Sequence, residues 1–222
     1  MKKKYEDIFL GKFPPEEFEY HDSYTTLDQF NNLIEIIENN STEKIIDKYL
    51  TDNPEILTTI LHHFETGNHK GWVFPKLTLT PRIEYMFQKG MIPDFIVGGQ
   101  SSDGQEWWLL ELKGADEKIF NIDKNNRIKF SDTLNKGICQ LIEYIDYSTE
   151  KQNKLRDEFG LKNFREPSGI ILIGRDVEMN DIRKQKLKSY WNRLHKGKLE
   201  IRTYDFLIRE FKYALQRKNS FS

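Results

Sequence analysis

The sequence predicts an α/β fold in which a central mixed sheet is flanked by helices, with a short helical extension at the N-terminus. Three observations point to it: strand-like apolar runs from Trp72 onward, a strong hairpin signal between Met91 and Lys113, and stripes of helical period before and after them. The chain divides accordingly into an N-terminal helical extension, 1–40, and one main domain, 41–222.

A Pro/Glu/aromatic segment to about Tyr24 leads into a helix through Leu33, Ile36 and Ile37, and this stretch is a candidate arm for a protein partner. Two short helices follow, with Asn53 expected as an N-cap and Pro54 at the first helical position, where a missing N–H is harmless. Trp72-Val73-Phe74 and the run from Ile83 to Phe87 are predicted strands. Gly98 to Gln105 is dense in turn formers and contains the tight-turn pair Asp103-Gly104, so the segments around Asp94 and Glu111 are expected to form an antiparallel hairpin. After Gly114 comes a polar loop, with Asn121 to Arg127 as a surface excursion. A long helix places Leu134, Ile138, Leu141, Ile142 and Ile145 on one stripe. The continuous apolar run Gly169 to Gly174 predicts a buried strand, and a basic helix, a strand from Leu199 to Thr203 and a final helix complete the order.

Across 222 residues, 37% hydrophobic and 31% charged content fits a single globular domain with a sizeable core rather than a disordered chain. The one cysteine, Cys139, precludes an internal disulfide, fits a reducing compartment and is expected to be a packing residue. No apolar stretch has the length of a signal peptide or a membrane span, so a soluble bacterial cytoplasmic protein without a membrane partner is expected. The net charge of −1 conceals an asymmetry, since 6 basic residues face 14 acidic ones through Thr66 and 28 face 21 beyond it. A nucleic-acid footprint is therefore expected in the C-terminal part, on Arg183, Lys184, Lys186 and Lys188 and onward through Arg193, Lys196 and Lys198. The same charges would suit the solvated face of an amphipathic helix whose stripe is Leu187, Tyr190, Trp191 and Leu194.

The chemistry concentrates in Pro93-Asp94 and Glu111-Leu112-Lys113. Residues two apart on a strand share a face, so Glu111 and Lys113 point together while Trp108, Leu110 and Leu112 take the other side. The hairpin brings Asp94 beside them. Two carboxylates are the usual protein contribution to a Mg²⁺ site, and a lysine alongside can orient the attacking water and offset negative charge developing on a phosphate. Asp94 and Glu111 are thus candidate metal ligands, Lys113 a candidate catalytic residue, and Mg²⁺, with Mn²⁺ able to substitute, the expected ion. A plainer alternative is a structural salt bridge from Asp94 to Lys113, with Glu111 exposed. His62, His63 and His69 lack a zinc-binding spacing and are expected to be ordinary helix-end histidines.

At these residues the sequence resembles the PD-(D/E)xK nuclease superfamily, and Gln140 and Tyr144, one helical turn apart, resemble the Gln-xxx-Tyr element carried by several of its branches. More narrowly it resembles the Shedu-type anti-phage nuclease domain, through Asn53-Pro54-Glu55-Ile56-Leu57, Ile92-Pro93-Asp94-Phe95, Leu110-Glu111-Leu112-Lys113, Ile173-Gly174-Arg175 and the run Ile201 to Leu207. The resemblance implies a restriction-endonuclease-like core, a DNA substrate, an endonuclease acting in antiviral defence, and a homo-oligomer, dimer or tetramer. It implies the Leu112 backbone carbonyl as a further metal ligand and Gln140 as a catalytic-site residue holding phosphate or orienting Lys113. Glu55, Glu84 and Tyr144 are accessory candidates. Many such proteins carry a large N-terminal region where this chain has a short lead-in, so a sensing or gating role assigned to that region is not carried over to it. The alternatives are a repair or recombination nuclease of the junction-resolving or end-resecting kind, and a catalytically silent nucleic-acid- or protein-binding module on the same fold.

Overall fold

The computed structural model describes residues 16–39, 42–79, 91–153, 164 and 167–220. The predicted strand from Ile83 to Phe87, and Glu84 with it, lies outside them. Six strands form one mixed sheet in the order β1 (Glu19–Tyr20), β2 (Lys70–Pro75), β3 (Phe95–Ser101), β4 (Gly104–Leu112), β7 (Ser168–Leu172) and β8 (Leu199–Arg202). The first four pair antiparallel, whereas β4–β7 and β7–β8 pair parallel. A parallel neighbour needs a crossover, and α4 (Asp132–Glu150) supplies it between β4 and β7.

Both faces of this sheet are covered, so strands that touch both cores are apolar at nearly every position. Ile96, Trp107, Leu109, Ile171 and Ile201 pack under Leu134, Ile138 and Leu141 of α4. Val97, Trp108, Leu110, Ile170 and Leu172 pack under α1 (Leu27–Glu38), α2 (Glu43–Asp52), α3 (Glu55–Thr58) and α6 (Tyr204–Ser220). Leu33 and Ile37 of α1 belong to this second core, and the Phe18 ring packs tilted against Phe74 in the first, so residues 16–38 are joined to the sheet. Helix starts follow local chemistry: Thr26 and Gln29 form a reciprocal capping box on α1, and the Ser131 hydroxyl accepts the Leu134 N–H at the start of α4. No helix among the described residues is long and apolar enough to cross a membrane.

Several expectations are corrected. Gly98 and Gly99 lie inside β3, and the hairpin turns only at Ser102-Asp103. A Cβ at Gly98 would stand 2.4 Å from the Trp107 ring, so the glycine makes room for the indole instead of making a turn. Asn53 caps the C-terminus of α2, its side chain donating to the Tyr49 carbonyl and accepting from Gln29; Pro54 takes the N-cap position of α3. The polar stretch after Gly114 contains a second, two-stranded sheet, β5 (Phe120–Ile122) with β6 (Ile128–Phe130). Ile142 is exposed rather than part of the α4 stripe, and Cys139 faces solvent rather than packing. On α5 (Ile182–Leu194) only Leu187 and Trp191 of the expected stripe meet the core; Tyr190 and Leu194 are exposed.

Candidate active site

The register that pairs Phe95 with Leu110 brings Asp94, immediately before β3, alongside Glu111 near the end of β4. Both carboxylates are buried, 8% and 4% exposed, on the sheet face covered by α4. Asp94 Oδ2 accepts the Leu112 N–H at 2.7 Å, which fixes its carboxylate against the neighbouring strand. Glu111 Oε1 accepts from Lys113 Nζ at 2.8 Å. Desolvation, with the Asp94 charge adding to it, pushes the Glu111 carboxyl up to about 7, and Lys113 pulls it only part of the way back. The alternative of an Asp94–Lys113 bridge with Glu111 exposed is overturned, because the lysine pairs with Glu111 and that glutamate is buried.

Lys113 is held from four directions. Its N–H donates to the Leu172 carbonyl at 2.8 Å, its carbonyl accepts from the Tyr204 hydroxyl at 2.6 Å, and its ammonium also reaches Gln140 Oε1 at 3.2 Å. The fourth constraint is Gly137, one turn before Gln140, where a Cβ would lie 3.3 Å from Lys113 Cε and 3.5 Å from Ile171 Cδ1. Helical spacing puts Gly137, Gln140 and Tyr144 on the same face, and the Tyr144 hydroxyl donates to the Ile92 carbonyl at 3.3 Å. Burial, then the charges of Glu111 and Asp94, push that phenol up to about 12.

Three further charged groups enter the site that the sequence did not single out. Glu43, in the first turn of α2, brings Oε2 within 3.9 Å of Lys113 Nζ, and Asp47 lies one turn later on the same helix. Lys76, just after β2, donates to Asp94 Oδ1 and lies 3.1 Å from Asp47 Oδ1. Burial holds the carboxyls of both Glu43 and Asp47 above their ordinary range against the pull of the lysines. A Glu-xxx-Asp spacing at the start of α2 was the available signal for the acids; nothing local marks Lys76.

The accessory candidate Glu55 points elsewhere, accepting from Gln29 Nε2 at 2.5 Å at the junction of α1 and α3. The basic residues of α5 take no part in the contacts around Asp94 and Glu111. Arg183 pairs with Asp181, Lys184 pairs with Glu178 at 3.1 Å, Lys186 is exposed, and Lys188 is half-buried with its pKa lowered by desolvation and by Arg202. Of the histidines, His62 meets Asp22 and His63 meets Arg202.

The family model described as Shedu protein SduA, C-terminal, matches residues 40–208. The chain belongs to the Shedu family. Among solved structures this Shedu chain is similar to restriction endonuclease FokI bound to DNA, at 10% identity and a TM-score of 0.44, over 98% of this chain and 31% of that one. The Shedu chain therefore spans under a third of that enzyme's length. A search of curated proteins gave no match.

The run Thr203-Tyr204-Asp205, which carries no evident chemistry as sequence, fastens the Shedu site to its scaffold. Thr203 Oγ1 donates to Asp176 Oδ1 at 2.6 Å, and Tyr204 holds the Lys113 carbonyl. Asp205 receives Arg175 through two bonds of 3.0 Å and the Asp176 N–H at 2.6 Å, while the same guanidinium donates to the Ile37 carbonyl.

Proposed function

We propose that this Shedu domain is a metal-dependent nuclease that hydrolyses DNA phosphodiester bonds, an endonuclease acting in anti-phage defence in the bacterial cytoplasm as a homo-oligomer. The observation that carries this reading is the buried Asp94–Glu111 pair with the Lys113 ammonium 2.8 Å from Glu111 Oε1. Two acids desolvated side by side, one of them pushed up to about 7, form a site that a cation would relieve. The side-chain donors proposed here are the two carboxylates of Asp94 and Glu111, both buried. That donor set fits Mg²⁺, which takes oxygen ligands and keeps several waters, and Mn²⁺ by substitution.

Asp94 and Glu111 would hold the ion, with the Leu112 carbonyl, which extended geometry puts on the same strand edge as the N–H given to Asp94, as the third ligand. Bound there, the ion would polarise the scissile phosphate and lower the pKa of water. Lys113, fixed through its own N–H and C=O, presents its ammonium to orient the attacking water and to balance charge gathering on the phosphate. Gln140 keeps that ammonium aimed, and Tyr144, held on Ile92, lines the same helix face. Arg183, Lys184, Lys186 and Lys188 of α5 are assigned to the flanking DNA backbone.

Supercoiled plasmid incubated with Mg²⁺ is expected to be nicked or linearised by the native chain and left intact by Glu111→Ala and by Lys113→Ala, each with an unchanged circular dichroism spectrum. Equal cutting by both variants would refute the assignment. One observation favours a second reading, a silent binding module: each carboxylate already carries a lysine. Absence of Mn²⁺ binding together with absence of nicking would select it.

A further inference from the structure

We propose that Lys76 is a resident cation that occupies Asp94 in the metal-free protein and is displaced from it when a divalent ion binds. The inference rests on the metal-site reading above and goes beyond it. Lys76 is tied to Asp94 twice: its N–H donates to the Asp94 carbonyl at 2.9 Å, and its ammonium donates to Oδ1 of the same residue. Asp47 Oδ1, 3.1 Å away, gives the ammonium a second anionic neighbour.

The backbone at Lys76 is also unusual. Lys76 has φ +52, one of three non-glycine residues with positive φ among those described. Residues with a Cβ adopt that region uncommonly, mostly at turns and helix ends. The other two stand at ordinary sites, Glu65 ending a 3-10 helix and Asn126 within the β5–β6 turn. At Lys76 the conformation turns the chain directly after β2 while both bonds to Asp94 are kept.

Position and exposure then separate the two lysines. Asp94 Oδ2 already accepts the Leu112 N–H, and Oδ1 carries the Lys76 ammonium, so the lysine holds the oxygen that no backbone group engages. The Lys113 side chain is 11% exposed and boxed in by Gly137 and Gln140, whereas that of Lys76 is 45% exposed and can swing into water. A second positive charge beside Asp94 repels the ammonium, and the solvated four-carbon stem lets it leave. The metal-free site is thereby kept paired, and the released ammonium remains at the open side of the site.

The test is calorimetric titration of the full chain with Mn²⁺ in the absence of DNA, comparing native protein with Lys76→Met and Lys76→Arg. Removing the competing charge is expected to tighten Mn²⁺ binding on the order of tenfold in Lys76→Met, with little change in Lys76→Arg. A second measurement uses the native protein and needs no variant: acetic anhydride labelling of Lys76, read by mass spectrometry, is expected to rise when Mn²⁺ is added. Unchanged or weaker binding by Lys76→Met, or labelling indifferent to Mn²⁺ in a native protein that binds it, overturns the displacement of Lys76 and leaves the metal site standing. Failure of the native protein to bind Mn²⁺ at all removes the metal site, and the displacement with it.

Discussion

The Tyr204 hydroxyl donates to the Lys113 carbonyl at 2.6 Å, joining the first residue of α6 to the residue that ends the β4 motif. Tyr204 is fully buried, so Tyr204→Phe leaves that carbonyl without a partner. The variant is expected to lose about 1–3 kcal/mol of stability in urea denaturation and to cut plasmid more slowly with an unchanged requirement for metal. Native stability and native rate in Tyr204→Phe would show the bond to be idle.

Glu111 gives a pH dependence of definite sign. Its carboxyl titrates near 7 in the folded chain against an ordinary 4.5, so the folded state holds the proton more tightly. Below about 4.5 both states are protonated; as pH rises toward 7 the unfolded chain deprotonates first and stability falls. The penalty present above pH 7 is on the order of 3 kcal/mol. With a chelator present, Glu111→Gln should therefore be more stable than the native chain at pH 8 and match it near pH 4.5; assayed separately with Mg²⁺ supplied, it should leave plasmid uncut where the native chain cuts. Because Glu43 and Asp47 shift in the same direction, the difference between the two melting curves is the quantity to read.

Gly137→Ala separates stability from catalysis. Alanine favours a helix interior over glycine by roughly 1 kcal/mol, yet its Cβ would press on Lys113 Cε from 3.3 Å. The expected result is a melting temperature equal to or above native with cleavage reduced by roughly tenfold or more, since in the role proposed for Lys113 small displacements are costly. Full activity would mean that the lysine has slack.

Asp205→Asn tests the anchorage of α6. The carboxylate accepts both bonds of the Arg175 fork and the Asp176 N–H, and an amide of the same shape cannot accept all three. A loss of about 1–3 kcal/mol in denaturant midpoint analysis is expected, without a change in the pH at which residual activity is half-maximal.

The hairpin and the α4 face were legible in the sequence because each rests on local periodicity. Glu111 and Lys113 are two apart on a strand, Asp103-Gly104 signals a turn that the structure closes one residue earlier at Ser102-Asp103, and Gln140 and Tyr144 are one helical turn apart. Lys76, Glu43 and Asp47 were not legible, since what unites them with Asp94 is the packing of α2 and the end of β2 against the hairpin, which no short spacing encodes. Composition misled where a residue answered to a tertiary neighbour: Gly98 looks like a turn former, but its partner is the Trp107 ring. Glu55 and Glu43 are both first-turn acids on neighbouring helices, and only the three-dimensional path tells which one faces Lys113. The strands β5 and β6, three residues each, are too short to stand out from their polar surroundings.

The two backbone bonds of Lys113 run to Leu172 and to Tyr204, both far downstream in the chain. During synthesis the ribosome delivers Asp94, Glu111 and Lys113 well before either partner emerges. A nascent chain can thus own every acidic and basic group of the motif and still lack the frame that aims them. On this geometry the frame around Lys113 closes only after Tyr204, the first residue of α6, has been made.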